Sequence, residues 1–278
     1  MSGAFLDEMA ASSYARVRAA KQARSEGALA AEAARAAPPP PRLRLDASGF
    51  DLIAELKLRS PAAGSLATPG KSVAERVLGY GRAGAAAVSV LTEPSRFEGS
   101  LAHLEQAAQA LAPLGVPVMR KDFLVDPYQV LEARIAGAGG VLLILRMLSR
   151  AAIDALIGCA DAFGLFVLLE AFDARDLELM HELIGSHTGA DRLLAGVNCR
   201  DLDTLQVVPQ RLFELAPLLP GRVPRVAESG IASAHDARQV AAAGYQLALV
   251  GSALMQAEDP AALVRTLLAA GRGAAGAR

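Results

Sequence analysis

Residues 51–61 read DLIAELKLRSP. An apolar run introduces a strand, and then Glu55 and Lys57 fall two apart within it. Side chains alternate across a strand, so Glu55 and Lys57 share one face while Leu52, Ala54 and Leu56 share the other. A buried charge is expensive unless it is paired and hydrogen-bonded. Two ionic groups on the second face of a strand whose first face is aliphatic therefore call for a partnered, water-accessible setting.

Seven more apolar runs follow, beginning near Ala86, Pro117, Gly140, Leu165, Leu193, Val223 and Gln246. With the first, near Leu52, they recur about every 28 residues. Between them lie stretches of helical period such as DPYQVLEARIAGAG, SRAAIDALIGCADAFG and SAHDARQVAAAGY. Many end in Gly just before the next strand, a common helix stop. Eight evenly spaced strand–helix units predict an α/β fold, a (β/α)8 TIM barrel. A doubly wound open sheet is the competitor, but no GxGxxG fingerprint follows the first strand. Residues 5–36 are Ala-, Arg- and Glu-rich with helical spacing, and the prolines at 38–41 end them. The expected organisation is an N-terminal helical extension and Pro-rich linker over 1–45, with an extra helix preceding the first strand. The barrel follows over 46–270, and a disordered tail over 271–278.

The chain has 278 residues, 53% of them apolar, with no Trp and a formal net charge of −1. That is enough aliphatic material for a large core, and it argues against a polyanion-binding protein. Cys159 and Cys199 are too few for a disulfide framework or a Cys-based zinc site, so a reduced, cytoplasmic setting is expected. No run reaches the length needed to span a bilayer, and the N-terminus lacks an apolar signal core. The four His have no metal-ligand spacing. No metal, cofactor, nucleic-acid or membrane partner is expected, and the chain is read as a monomer or weak homo-oligomer.

In a barrel of this kind the chemistry sits at the C-terminal ends of the strands. The polar residues there are Glu55 and Lys57 (first strand), Lys121 (third), Glu170 (fifth), Asn198 (sixth), and Glu228 with Ser229 (seventh). Closure of the barrel gathers them at one mouth. The last two strands end in VAESGIAS and LVGSALM. There Gly230, Gly251 and Ser252 suit a phosphate, and Ser60 completes the pocket from the first loop. Asp122 either orients Lys121 or caps the following segment, and Cys199 packs. These features alone also permit a Schiff-base aldolase or a non-catalytic phosphoribosyl-ligand-binding protein.

The stretches IAELKLRSP, VSVLTEPSRFEGS, PVMRKDFLVDPYQVLEARIAGAGGVLLI, LLEAFDARDLE, GVNCRDLDTL and VAESGIASAHDARQVAAAGYQLALVGSALMQAEDP resemble the indole-3-glycerol-phosphate synthase family along nearly the whole chain. The resemblance implies a carboxy-lyase of tryptophan biosynthesis acting on a phosphorylated small molecule, 1-(2-carboxyphenylamino)-1-deoxyribulose 5-phosphate. It implies Lys121 as general acid, Glu170 as proton-transferring carboxylate and Lys57 as a second cation placed for dehydration. Glu55, Asn198, Glu228 and Ser229 would orient these groups and hold substrate hydroxyls. Ser60, Gly230, Gly251 and Ser252 would bind phosphate, and Phe97, Phe123, Leu142 and Leu205 would form the apolar wall around the aromatic ring. Two positions depart from the family's pattern. Ala62 and Ala63 stand where the family often has Ser and Lys, and Cys199 stands where it often has Asn or Ser.

Overall fold

The computed structural model describes residues 3–36, 39–62, 64–66, 70–187 and 189–276. It opens with two helices, α1 (Ala4–Ala23) and α2 (Glu26–Arg35). The single helix expected over 5–36 is divided because Ser25 caps a new one, its Oγ accepting the Ala28 amide at 3.3 Å. Eight strands follow: β1 (Asp51–Leu56), β2 (Ala87–Leu91), β3 (Val118–Lys121), β4 (Gly140–Ile144), β5 (Phe166–Ala171), β6 (Leu193–Asn198), β7 (Arg225–Glu228) and β8 (Leu247–Val250). All pair in parallel with their sequence neighbours, and β8 closes onto β1. The helices around them are α3 (Val73–Arg82), α4 (Pro94–Phe97), α5 (Leu101–Leu111), α6 (Pro127–Ile135), α7 (Arg150–Ala162), α8 (Ala174–Ser186), α9 (Gln210–Leu215), α10 (Ala234–Ala242), α11 (Ser252–Gln256) and α12 (Pro260–Ala275). The architecture is the expected TIM barrel. A short ribbon after β1, Arg59–Ser60 against Gly64–Ser65, is too brief to leave a period in the sequence.

The alternation along β1 is met. Leu52, Ala54 and Leu56 join the outer core under the helices, with Val88 and Val90. Ile53 joins the inner cluster with Met119, Leu142, Leu168 and Val226. Strand register then fixes the interior levels. In this fold neighbouring strands step by one residue around the barrel, and alternate strands fill each layer. Applied to the observed pairings, that step puts Ile53, Met119, Leu168 and Val226 in one layer, and Ser89, Leu142, Gly196 and Leu249 in the next. It puts Glu55, Lys121, Glu170 and Glu228 in the layer above. The uppermost complete layer of the barrel is therefore wholly ionic.

The disordered tail expected over 271–278 is not met across 271–276. Helix α12 continues to Ala275 because Gly271 seats the Phe50 ring. Arg272 also donates to Asp51 at 2.8 Å and to the Phe50 carbonyl at 3.1 Å. Ala277 and Arg278 lie outside the described residues, as do Pro38 and Ala63.

Helix α1 lies at the mouth, with Leu6 and Met9 buried in the inner cluster. Arg16 makes a bidentate pair with Asp122, at 2.8 and 3.0 Å. Asp122 also accepts from Thr92 Oγ1 at 2.7 Å and from the Phe123 amide at 2.8 Å. Burial alone would raise its pKa, but Arg120 and Arg16 outweigh that and bring it from 3.8 down to about 2. A folded value below the unfolded one adds stability above about pH 4, and that stability is lost as the pH falls through about 2. The contribution is about 2 kcal/mol. Urea unfolding of wild type and Asp122→Asn checks this, and their difference is expected to shrink steadily between pH 4 and pH 2.

Candidate active site

A cavity of about 270 Å³ opens above the ionic layer at the C-terminal ends of the strands. The candidate catalytic, phosphate-binding and ring-wall residues named from the sequence all lie on its wall. Glu55, Lys57, Lys121, Glu170, Asn198 and Glu228 form its floor and rim, with Ser229 beside them. Ser60, Gly230, Gly251 and Ser252 line one side, and Phe97, Phe123, Leu142 and Leu205 line the apolar part.

The floor is a set of coupled ion pairs. Lys121 Nζ donates to Glu170 Oε2 at 2.9 Å and to Glu228 Oε2 at 3.3 Å. Asn198 Nδ2 donates to the other Glu170 oxygen at 3.1 Å. Lys57 Nζ lies 2.8 Å from Glu55 Oε1. Burial favours the neutral amine of Lys121, but the fields of Glu170, Glu228 and Glu55 overcome it and raise the pKa. Lys121 is therefore an ammonium at any physiological pH. Glu228 moves the other way for a carboxylate. Its burial and the like charge of Glu170 raise its pKa well above the ordinary value, with Lys121 opposing. For Glu55, burial raises the pKa, but Lys57 and Lys121 prevail and lower it.

Two glycines make room for these charges. A Cβ on Gly251 would collide with Glu55 Oε1 and come within 3.1 Å of Lys57 Nζ. A Cβ on Gly196 would collide with Glu228 Oε1 and lie 2.9 Å from Leu168 Cδ1. The carboxylates of Glu55 and Glu228 occupy the space that side chains at 251 and 196 would fill. Ser229 has a φ of 70°, rare for a residue other than glycine. Strain of this kind, of order 1–3 kcal/mol, clusters at functional loops.

Other wall residues escaped the sequence reading. Phe5 reaches the cavity from α1 and packs edge-on to Phe123, with centroids 5.9 Å apart. Phe97 lies on the other side of the set, 6.1 Å from Phe123. The signal for α1 was the spacing of Phe5, Leu6 and Met9 on one helix face. Arg200 also lines the wall, its guanidinium held by the Leu205 carbonyl at 2.8 Å. Extending the alternation past Asn198 and skipping Cys199 points to it. Cys199 is fully buried in the outer core. Asp122 sits between two inward residues, Lys121 and Phe123, and its carboxylate bonds Arg16, Thr92 and Arg120 rather than Lys121.

The fold and the charged mouth define a TIM barrel with an ionic cavity at the C-terminal ends of its strands. Among solved structures the chain superposes on 3-hexulose-6-phosphate synthase from Salmonella typhimurium with a TM-score of 0.60 at 17% identity, covering 81% of this chain and 100% of that one. It superposes on orotidine 5'-phosphate decarboxylase from Pyrococcus horikoshii with a TM-score of 0.58 at 14% identity, covering 80% of this chain and 99% of that one. At these identities the likeness concerns the fold alone. Sequence is more specific. The family model for indole-3-glycerol phosphate synthase matches residues 6–267. The chain is 43% identical over 227 residues to the indole-3-glycerol phosphate synthase of Parafrankia sp., covering 82% of this chain and 81% of that one. It is 40% identical over 239 residues to that of Saccharopolyspora erythraea, covering 85% of each. The chain belongs to the indole-3-glycerol phosphate synthase family.

Gly251→Ala is expected to leave the fold intact but displace Glu55 and Lys57. A misplacement of about 1 Å in such a group costs on the order of 10²-fold. Circular dichroism together with steady-state turnover checks this, with kcat falling while the spectrum stays unchanged.

Proposed function

We propose that Lys121 is the general acid of the family's ring-closing reaction and that the carboxylates around it exist to keep it charged. The activity is that of the family, a carboxy-lyase step of tryptophan biosynthesis. In it 1-(2-carboxyphenylamino)-1-deoxyribulose 5-phosphate becomes indole-3-glycerol phosphate, with loss of one carbon dioxide and one water. The aryl carbon that bears the carboxylate attacks the ribulose ketone carbon. Such a carbon is a weak nucleophile, so the ketone oxygen must receive a proton as the new bond forms. Lys121 supplies it. The carboxylate then leaves as carbon dioxide and restores the aromatic ring. The remaining hydroxyl departs as water, assisted by Lys57, while Glu170 moves the proton. General acid–base help of this kind is worth about 10²–10⁴-fold.

The observation that carries this reading is the 2.9 Å contact from Lys121 Nζ to Glu170, made inside a cavity. Glu55, Asn198, Glu228 and Ser229 orient the reacting groups and hold substrate hydroxyls. Ser60, Gly230, Gly251 and Ser252 take the phosphate, while Phe97, Phe123, Leu142 and Leu205, joined by Phe5, hold the aromatic ring. Binding at both ends folds a flexible substrate toward its reactive conformation. A Schiff-base aldolase needs a neutral lysine amine as nucleophile. The raised pKa of Lys121 disfavours that alternative. Two free cysteines fit a reducing, cytoplasmic setting, and a net charge of −1 gives no general attraction for polyanions.

Lys121→Ala is expected to lower indole formation by at least about 10²-fold while the protein still folds, since the carboxyls left behind can take up protons. Fluorescence of the product from synthetic substrate reads the first outcome and circular dichroism the second. Borohydride treatment of wild type with substrate is expected to trap no adduct. Near-normal turnover, or a trapped lysine adduct, contradicts the assignment.

A further inference from the structure

We propose that the Arg16–Asp122 ion pair is a latch that sets Phe5 against Phe123, making both latch residues positioning residues for the substrate's aromatic end. The proposal rests on the reading of Phe123 and its neighbours as the ring wall.

Asp122 lies between Lys121 and Phe123, with its carboxylate turned away from the cavity floor. Two Arg16 nitrogens, Thr92 Oγ1, Arg120 Nη2 and the Phe123 amide all donate to it. Its side chain has no solvent exposure. Arg120 is fixed in turn by the Gln129 carbonyl at 2.8 Å and Glu132 at 2.9 Å. The segment carrying Lys121 and Phe123 is thus clamped from the outside of the barrel, and the clamp extends to one residue of α1.

That connection reaches the cavity along α1. Phe5, Met9, Ser13 and Arg16 fall on one helix face at spacings of three and four. At 1.5 Å per residue, Arg16 lies about 16 Å along the axis from Phe5. Leu6 and Met9 hold α1 over the inner cluster by apolar burial, which is non-directional and tolerates small slides and rotations. A bidentate guanidinium–carboxylate pair tolerates neither. Three other polar ties of α1 run to different elements. Lys21 bonds Asp126 at 2.8 Å, Ser13 accepts from Gln129 at 2.8 Å, and Glu8 pairs with Arg96 at 2.5 Å. Those partners lie at the start of α6, within it, and on α4 beside Phe97, the last in a solvent-exposed pair. The Arg16 pair ends beside the general acid and the aromatic wall themselves.

The test uses the full chain. Arg16 is about a quarter exposed at its side chain, so Arg16→Gln is expected to fold. Its substrate KM should rise about 10-fold with kcat changed by less than about 3-fold, the pattern of lost binding rather than lost transition-state stabilisation. Competitive inhibition by glycerol 3-phosphate, which has the phosphate but no ring, should be unchanged. Arg16→Lys should recover part of the KM loss. In a Phe5→Ala background, which itself raises KM, adding Arg16→Gln should cost nothing more. A wild-type KM in Arg16→Gln while Phe5→Ala raises KM overturns the latch, as do losses that multiply in the double variant. A wild-type KM in Phe5→Ala instead removes the ring-wall reading, and the latch falls with it.

Discussion

One ammonium, hydrogen-bonded to the carboxyls of Glu170 and Glu228 and sharing their layer with Glu55, is the constraint on which the rest of the structure depends. Lys121 and Glu55, Glu170 and Glu228 occupy one interior layer, where a packed barrel would ordinarily hold branched aliphatic side chains. Desolvating four ionisable groups costs several kcal/mol each. The cost is offset only in part by mutual attraction, so the layer is poor as a stabilising device. It is well suited to keeping a proton on an amine that burial alone would neutralise. Glu228, pushed toward its neutral form, reduces the number of charges the layer must carry.

The surrounding fold is arranged to accommodate this layer. Beneath it, Leu142 and Leu249 give an apolar floor, while Gly196 leaves the volume into which Glu228 Oε1 settles. Gly251 does the same for Glu55 and Lys57. Above it, Phe5, Phe97 and Phe123 form an aromatic cluster contributed by α1, α4 and the segment after β3. The N-terminal extension is therefore part of the cavity wall as well as of the core. Outside the barrel, Asp122 and Arg120 flank Lys121 in sequence and tie its strand to α6 and α1.

Much of this was legible in the chain because period-two alternation is a local property. Glu55 and Lys57 on the face opposite Leu52, Ala54 and Leu56 implied an ionic interior, and the recurrence of apolar runs implied closure. What escaped depends on contacts distant in sequence. Phe5 is an ordinary apolar helix position until α1 is docked. Asp122 could not be assigned because its partner Arg16 lies 106 residues away. Disorder is the expectation for a terminal segment such as 271–278, but it fails over 271–276. The contact of Gly271 with Phe50, and the bond from Arg272 to Asp51, instead pin the end of α12 as helix against the start of β1. The glycines at 196 and 251 read as turn or strand glycines, since only three-dimensional packing shows which carboxylates fill their space.

The protonation state of Lys121 is measured directly by nitrogen-15 NMR of lysine-labelled protein. With the Lys121 Nζ resonance assigned by its loss in Lys121→Arg, an ammonium signal is expected to persist without titrating from pH 6 to pH 10. A Lys121 signal that titrates to the neutral amine below about pH 8 would contradict it.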